Sequence, residues 1–381
     1  MQIINAKIVL EDSIFFGNLR ASNEIIEYIG EEIKRDEPTV SADGAYLVPG
    51  FVDIHCHGGG GYDFMDATPS EMKKISEFHL SHGTTTLVAT TMTDRYEQIY
   101  RALDNFSALG EDRLTLHGVH LEGPWLNPLQ CGAQDVSKMS LPSVEKLKEI
   151  IEKYPFVERI SIAPELDTDY AVTRAAREAG LVVSAAHTDA DFDCMTEAAG
   201  EGVTLITHLY SGMKGVTRKN AYRTAGCVEA GLYDDRIFTE VIADGKHLPK
   251  GLLQLIYKCK GADKICLITD AMRGAGMPDG VTTMLGRMND GVPCVIDDSV
   301  AKTTDCQAFA GSVATADRLL RTMCHLAEIP LVDAVKMLTK TPASVMGYND
   351  RGSISVGKVA DLVLLNENLE INKIFLKGVE K

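Results

Sequence analysis

Eight short apolar runs separated by helix-period segments, flanked at both chain ends by alternating β-rich stretches, predict an α/β chain. The architecture they imply is a (β/α)8 TIM-like barrel carrying a small β-sandwich domain built from both termini. At 381 residues the chain has room for both, because such a barrel takes about 250 residues.

Taken in order, QIINAKIVL, ASNEIIEYIG and AYLVPG within residues 1–48 read as short strands bounded by polar and glycine-containing turns. GSISVGKVADLVLL at 352–365 has the same character, with Gly357 placed for a tight turn. These ends are assigned to one β-domain, 1–48 with 351–381, and the barrel to 49–350. Within the barrel the strand runs are FVDIH at 51–55, TTTLVAT at 84–90, LTLHGVHLE at 114–122 and RISIAP at 159–164. LVVSAAH at 181–187, VTLITH at 203–208, IFTEVIA at 237–243 and KICLITD at 264–270 complete the set. Near-continuous apolar, β-branched runs of this kind suit strands buried on both faces. PSEMKKISEFHLSHG, LPSVEKLKEIIEKY and HLPKGLLQLIYKCKG are typical of the intervening helices, the first two opening close to a proline. No GxGxxG turn supports a doubly wound open sheet instead.

Composition narrows the class of function. Hydrophobic residues make up 45% and charged residues 24%, and the formal net charge is −16. Such a field repels nucleic acid and anionic membrane, so neither is expected as a partner. An anionic substrate would have to be captured by local cations. Nine cysteines without a CxxC pair suit free thiols in a reducing compartment. The opening MQIINAKIVLEDSIFFGN lacks a signal-peptide core, and no apolar run approaches the roughly 18 residues of a membrane span. A cytoplasmic location is the expectation.

Barrel strands converge at their C-terminal ends, and there this chain places its chemistry. The first strand ends in His55 and His57, the third in Glu122, the fifth in His187, the sixth in His208 and the eighth in Asp270; His247 follows the seventh. Period-2 spacing puts His55 and His57 on one face. Histidine and carboxylate donors suit a divalent metal, Zn²⁺ or Fe²⁺. Asp270 is placed to take a proton from water and pass it to a leaving group, and His247 to hydrogen-bond a developing oxyanion. His79, His82, His117 and His325 read as structural, while His120 lies on the Glu122 face, near the site.

With these residues in view, the sequence resembles the amidohydrolase superfamily, and within it the N-acetylglucosamine-6-phosphate deacetylases. PGFVDIHCHGG, HGVHLEGPWLNP followed by GAQ, SAAHTDA, THLY, IADGKH, LITDAM, FAGS and the C-terminal GSISVGKVADLVLL match in order. The resemblance implies metal binding by Glu122, His187 and His208, with Asp270 as acid and base and His247 on the amide carbonyl. His55 and His57 would add a second metal bridged by Glu122, giving one or two per subunit. The backbone around Ala133 and Gln134, and from Phe309 through Ala310 to Gly311, would line a sugar-phosphate pocket. HLYSGM stands where the family commonly has HLYNAM, putting Ser211 and Gly212 at a substrate-contact position. The family's phosphate-binding arginine reaches into a neighbouring subunit, which implies a homodimer; Arg223 in RTAG is the best match for it and Arg218 the second. The activity implied is removal of the N-acetyl group from N-acetylglucosamine 6-phosphate. The galactosamine epimer as substrate, or a catalytically silent sugar-phosphate sensor, are the alternatives.

Overall fold

A computed structural model describes residues 1–381. Its central element is an eight-stranded parallel sheet. In spatial and chain order the strands are Phe51–Cys56, Thr84–Thr91, Leu116–Glu122, Val157–Ile162, Val182–Ala185, Val203–Ile206, Phe238–Val241 and Ile265–Leu267. Each predicted run supplies one of them, and the observed strands stop one to three residues before several of the functional side chains. The sheet curls until its two ends meet. Asp270 N–H donates to His55 O at 2.9 Å, and the N–H groups of His57 and Gly58 donate to Ala271 O at 2.8 and 2.9 Å.

The curl leaves strands with two different faces. Val52 and Ile54 face the interior with Leu205, Ile242, Cys266 and Ile268 in one apolar cluster, whereas Phe51 and Cys56 join the core against the helices. The pairing shifts register between Asp53 and Cys56, so His55 and His57 also face inside, while Asp53 groups with Cys56 and with His79 of a covering helix. Helices cover the outside for ordinary reasons. In Pro69–Ser81, proline occupies the first turn, and Thr68 and Glu71 close a capping box, with Thr68 N–H donating to Glu71 Oε2 at 2.8 Å. Its Met72, Ile75 and His79 lie on the buried face.

Strands from both chain ends share a second sheet, in the order Val379–Glu380, Ile371–Leu376, Leu362–Leu365, Tyr46–Pro49, Gln2–Val9, Ile14–Ser22 and Ile25–Gly30. Gln2–Val9 forks it: Gln2 to Ile4 pair with Thr39–Ser41, whereas Lys7 and Ile8 pair with Tyr46–Pro49. A separate apolar cluster that includes Ile3, Ile8, Leu19, Leu47, Leu362 and Phe375 fills this unit. Only Leu362–Leu365 of the 352–365 run is a strand; Gly352 and Gly357 both have positive φ and bend the preceding chain. The Ile14–Ser22 strand and a three-stranded sheet, Thr282–Leu285, Val292–Asp297 and Val300–Thr303, lie outside the predicted elements. No helix is long and apolar enough to cross a membrane.

Candidate metal centre

Six of the residues singled out at the strand ends meet at one point. His208 Nε2 is 2.9 Å from Glu122 Oε1, and His187 Nε2 and His55 Nε2 are each 3.6 Å from the same oxygen. His57 Nε2 lies 3.2 Å from Glu122 Oε2 and 3.2 Å from Asp270 Oδ1. Two donor sets result, His55–His57–Glu122 and Glu122–His187–His208, with the donor atoms of each set within 4.8 Å of one another. Glu122 belongs to both. Three of the group sit just past their strands with left-handed backbone: His187 at φ 41°, His208 at φ 29° and Asp270 at φ 48°. Non-glycine residues rarely adopt this region, and it costs on the order of 1–3 kcal/mol each.

The ring orientations suit a metal. His187 Nδ1 lies 2.8 Å from Gln130 O and His55 Nδ1 lies 3.1 Å from Glu240 Oε2, so each ring donates from Nδ1 and keeps Nε2 free for a cation. Burial alone would raise Glu122, but the four surrounding imidazoles hold it well below the usual carboxylate range. Asp270 is likewise raised by burial and lowered further by His55 and His57. Burial would lower His208, yet its bond to Glu122 pushes it up to about 9. The cluster therefore draws positive charge to itself. A buried set of imidazole and carboxylate donors with this demand fits a divalent cation.

Above the cluster opens a cavity of about 310 Å³. His57, Glu122, His187, His208, His247 and Asp270 form its base and one wall, and Ala133, Gln134, Ser211, Gly212, Phe309 and Gly311 line the remainder. Gln134 Nε2 donates to Glu122 Oε2 at 2.8 Å, a side-chain contact beyond the backbone role expected of it. His247 donates from Nδ1 to Asp244 Oδ2 at 2.8 Å and rests against the Phe309 ring, leaving its Nε2 edge for a ligand.

Three predicted residues fall elsewhere. Ala310 is fully buried and does not line the cavity, because its N–H is bonded to Ala301 O in the three-stranded sheet. Arg218 and Arg223 face each other across a hairpin, Thr217–Lys219 with Tyr222–Thr224, and both are exposed. No arginine or lysine lines the cavity.

Sequence reasoning also missed residues. Asp244 lies three positions before His247 in the same strand-end loop, a spacing that could have flagged it. Glu240 and Arg159 are charged residues inside the apolar runs IFTEVIA and RISIAP, and both are fully buried. A charge within a two-face-buried strand was the available signal. Met92, Tyr210, Leu285 and Ala308, which complete the cavity wall, carried none. His120, on the Glu122 face of its strand, is buried and packs edge-on to His55, with ring centroids 4.8 Å apart.

A curled parallel sheet with imidazoles and carboxylates at its mouth defines a class of metal-assisted hydrolases. The chain belongs to the amidohydrolase family, whose model matches residues 46–381. More narrowly, it is similar to N-acetylglucosamine-6-phosphate deacetylase of Lysinibacillus sphaericus, 32% identical over 89% of this chain and 86% of that one. It is also 30% identical to N-acetylgalactosamine-6-phosphate deacetylase of Escherichia coli O157:H7, over 88% of each. Among solved structures it superposes on an aspartate-to-alanine variant of N-acetyl-D-glucosamine-6-phosphate deacetylase from Mycobacterium smegmatis in complex with N-acetyl-D-glucosamine-6-phosphate. The TM-score is 0.91 at 30% identity, covering 100% of this chain and 98% of that one.

Proposed function

We propose that this protein removes the acetyl group from N-acetylglucosamine 6-phosphate, giving glucosamine 6-phosphate and acetate. The observation that carries the reading is the convergence of Glu122, His187 and His208 with Asp270 at the base of one cavity, as the wall residue His247 looks on from the side. The named activity of the relatives supports it.

Glu122, His187 and His208 would hold one divalent cation, Zn²⁺ or Fe²⁺. His55 and His57, sharing Glu122, would hold a second. Such a cation supplies Lewis-acid polarisation of the amide carbonyl and makes water more acidic. The protein's own groups do the rest. Asp270, held ionised, takes a proton from the attacking water as its oxygen bonds the carbonyl carbon. His247, oriented by Asp244, offers its Nε2 edge to the carbonyl oxygen; in the protonated ring that edge is an N–H donor for the developing charge. Asp270 then returns the proton to the departing nitrogen as the C–N bond breaks, so a free amine leaves with acetic acid, which loses water's second proton to become acetate. Ala133, Gln134, Ser211, Gly212, Phe309 and Gly311 would position the sugar ring.

The phosphate needs a cation that this cavity lacks. Arg223 is the candidate, delivered by a second copy of the chain in a homodimer, with Arg218 across the hairpin as the other choice. Arginine suits the task because its planar fork bonds phosphate through two parallel N–H groups. Arg223→Ala should raise KM for the phosphorylated sugar roughly 30- to 1000-fold, the worth of about 2–4 kcal/mol, and leave unphosphorylated N-acetylglucosamine nearly unaffected. Equal discrimination in parent and variant would remove Arg223 from the site.

Acetate release should be measured with N-acetylglucosamine 6-phosphate, its galactosamine epimer and the unphosphorylated sugar. Highest kcat/KM for the first is the expected result. Preference for the epimer would transfer the assignment to that sugar, with Ser211 and Gly212 as the first residues to exchange. Absence of acetate release from all three, with metal bound, would overturn the enzymatic reading in favour of a sensor.

A further inference from the structure

The inside of the curled sheet is unusual in its chemistry. Arg159 and Glu240 are both fully buried there, paired through Nη1 and Oε1. Arg159 is held on every side: Nη1 donates to Ile54 O at 3.1 Å, Nη2 to Thr207 Oγ1 at 3.1 Å and Nε to Ser184 Oγ at 3.2 Å. Ser161 Oγ ties the same layer together, 3.0 Å from Ser184 Oγ, 3.1 Å from Thr207 Oγ1 and 2.7 Å from His120 Nε2. A barrel interior is ordinarily filled by branched apolar side chains. Here the layer beneath the centre is a connected polar network around one ion pair.

The direction of that network is informative. Glu240 Oε2, the oxygen that Nη1 of Arg159 does not take, accepts from His55 Nδ1 at 3.1 Å and from the backbone N–H of His208 at 3.2 Å. One carboxylate therefore touches a ligand from each donor set. Among the four imidazoles around Glu122, His55 is the one oriented by an ionised side chain; His187 relies on a backbone carbonyl, and His57 Nδ1 and His208 Nδ1 have no protein partner. Because Arg159 pins Glu240 as an acceptor, His55 is confined to the Nδ1–H form and presents the lone pair of Nε2 to the centre. A pair kept only to fill space has no need of this aim, since a buried ion pair is often replaced by apolar residues without loss of stability.

We propose that the Arg159–Glu240 pair is a positioning device that fixes the His55 tautomer and so builds the His55–His57–Glu122 position, setting how many cations the centre holds. This rests on the reading above that the centre has two positions.

The test uses the full chain labelled with ¹⁵N-histidine, in the parent, in Glu240→Gln and in the double variant Arg159→Met/Glu240→Leu. The double variant removes both charges together, which avoids stranding one of them in the core. Zn²⁺ is the only cation supplied, and bound zinc per chain is counted after dialysis against chelators of increasing strength. The parent should hold two ions with a single Nδ1–H signature for His55. The double variant should keep one ion at parental affinity and bind the other about 10- to 100-fold more weakly, the usual effect of losing a partner behind a ligand. In Glu240→Gln the amide can donate to Nδ1, so the His55 proton should move to Nε2 with the same loss. Two ions at parental affinity in both variants, or an unchanged Nδ1–H signature, would overturn the inference. A parent that binds one ion would instead overturn the two-position reading, and the tautomer signal alone would then decide the role of the pair.

Discussion

The two halves of the centre are built on different principles. His55 and His57 lie on and beside the strand Phe51–Cys56, whose pairing shifts register around His55, and His55 is braced from below by the Glu240 carboxylate. His187 and His208 sit beyond their strands in left-handed backbone, and His187 is braced by a loop carbonyl and crowded by Gly212. The first half sits deep, with His57 its only imidazole on the cavity; in the second half both imidazoles line it. The deep half has no left-handed backbone at its histidines. The cavity half reaches its position through backbone strain that the surrounding fold must hold in place. The strained half is thus the one that lines the cavity with both its imidazoles, and the strand-borne half the one tied to a buried carboxylate.

The sharpest way to break this contrast is through the residue both halves share. Glu122→Gln should abolish turnover and release both cations, because the bridging carboxylate contributes to each donor set. Retained metal at full occupancy would show that the halves do not meet at Glu122. Next in size is Asp270→Asn, which keeps shape but cannot take a proton. Its kcat should fall about 10²- to 10⁴-fold with metal content preserved; a near-parental kcat removes Asp270 from proton transfer.

A matched pair then compares the halves directly. His208→Asn should eliminate activity together with the cavity-side cation. His55→Gln should weaken only the deep position and leave partial turnover, as read by metal content and kcat side by side. Equal losses would mean that the halves are not functionally distinct.

The smallest effect expected is on stability. Gly212 has φ 58°, and an added Cβ would lie 2.5 Å from His187 Nδ1 and 3.0 Å from Gln130 O. Gly212→Ala should cost on the order of 1–3 kcal/mol and displace His187, lowering both the unfolding midpoint and metal affinity. An unchanged midpoint would show that the strained half has room to relax.

How much of this was legible beforehand depends on the range of the interaction. Period-2 alternation and the convergence of parallel strands are local rules applied eight times, and they suffice to place His55, His57, Glu122, His187, His208 and Asp270 at one mouth. The Ile14–Ser22 strand and the three-stranded sheet at Thr282–Thr303 were invisible because their pairing partners, rather than their own periodicity, make them strands.

By itself, then, the sequence determined the parallel α/β architecture, the cluster of metal-ligand chemistry and the family to which the chain belongs, since each follows from residue type and spacing along one strand or motif. The tertiary structure alone decided which atoms face one another. It brought Glu240 beneath His55 across 185 positions and Arg159 to Glu240 across 81. It also set Arg223 on an exposed hairpin, outside the cavity of its own chain. Contacts between residues so far apart in the chain depend on how the sheet closes and how its inner face is filled, and no local pattern encodes that.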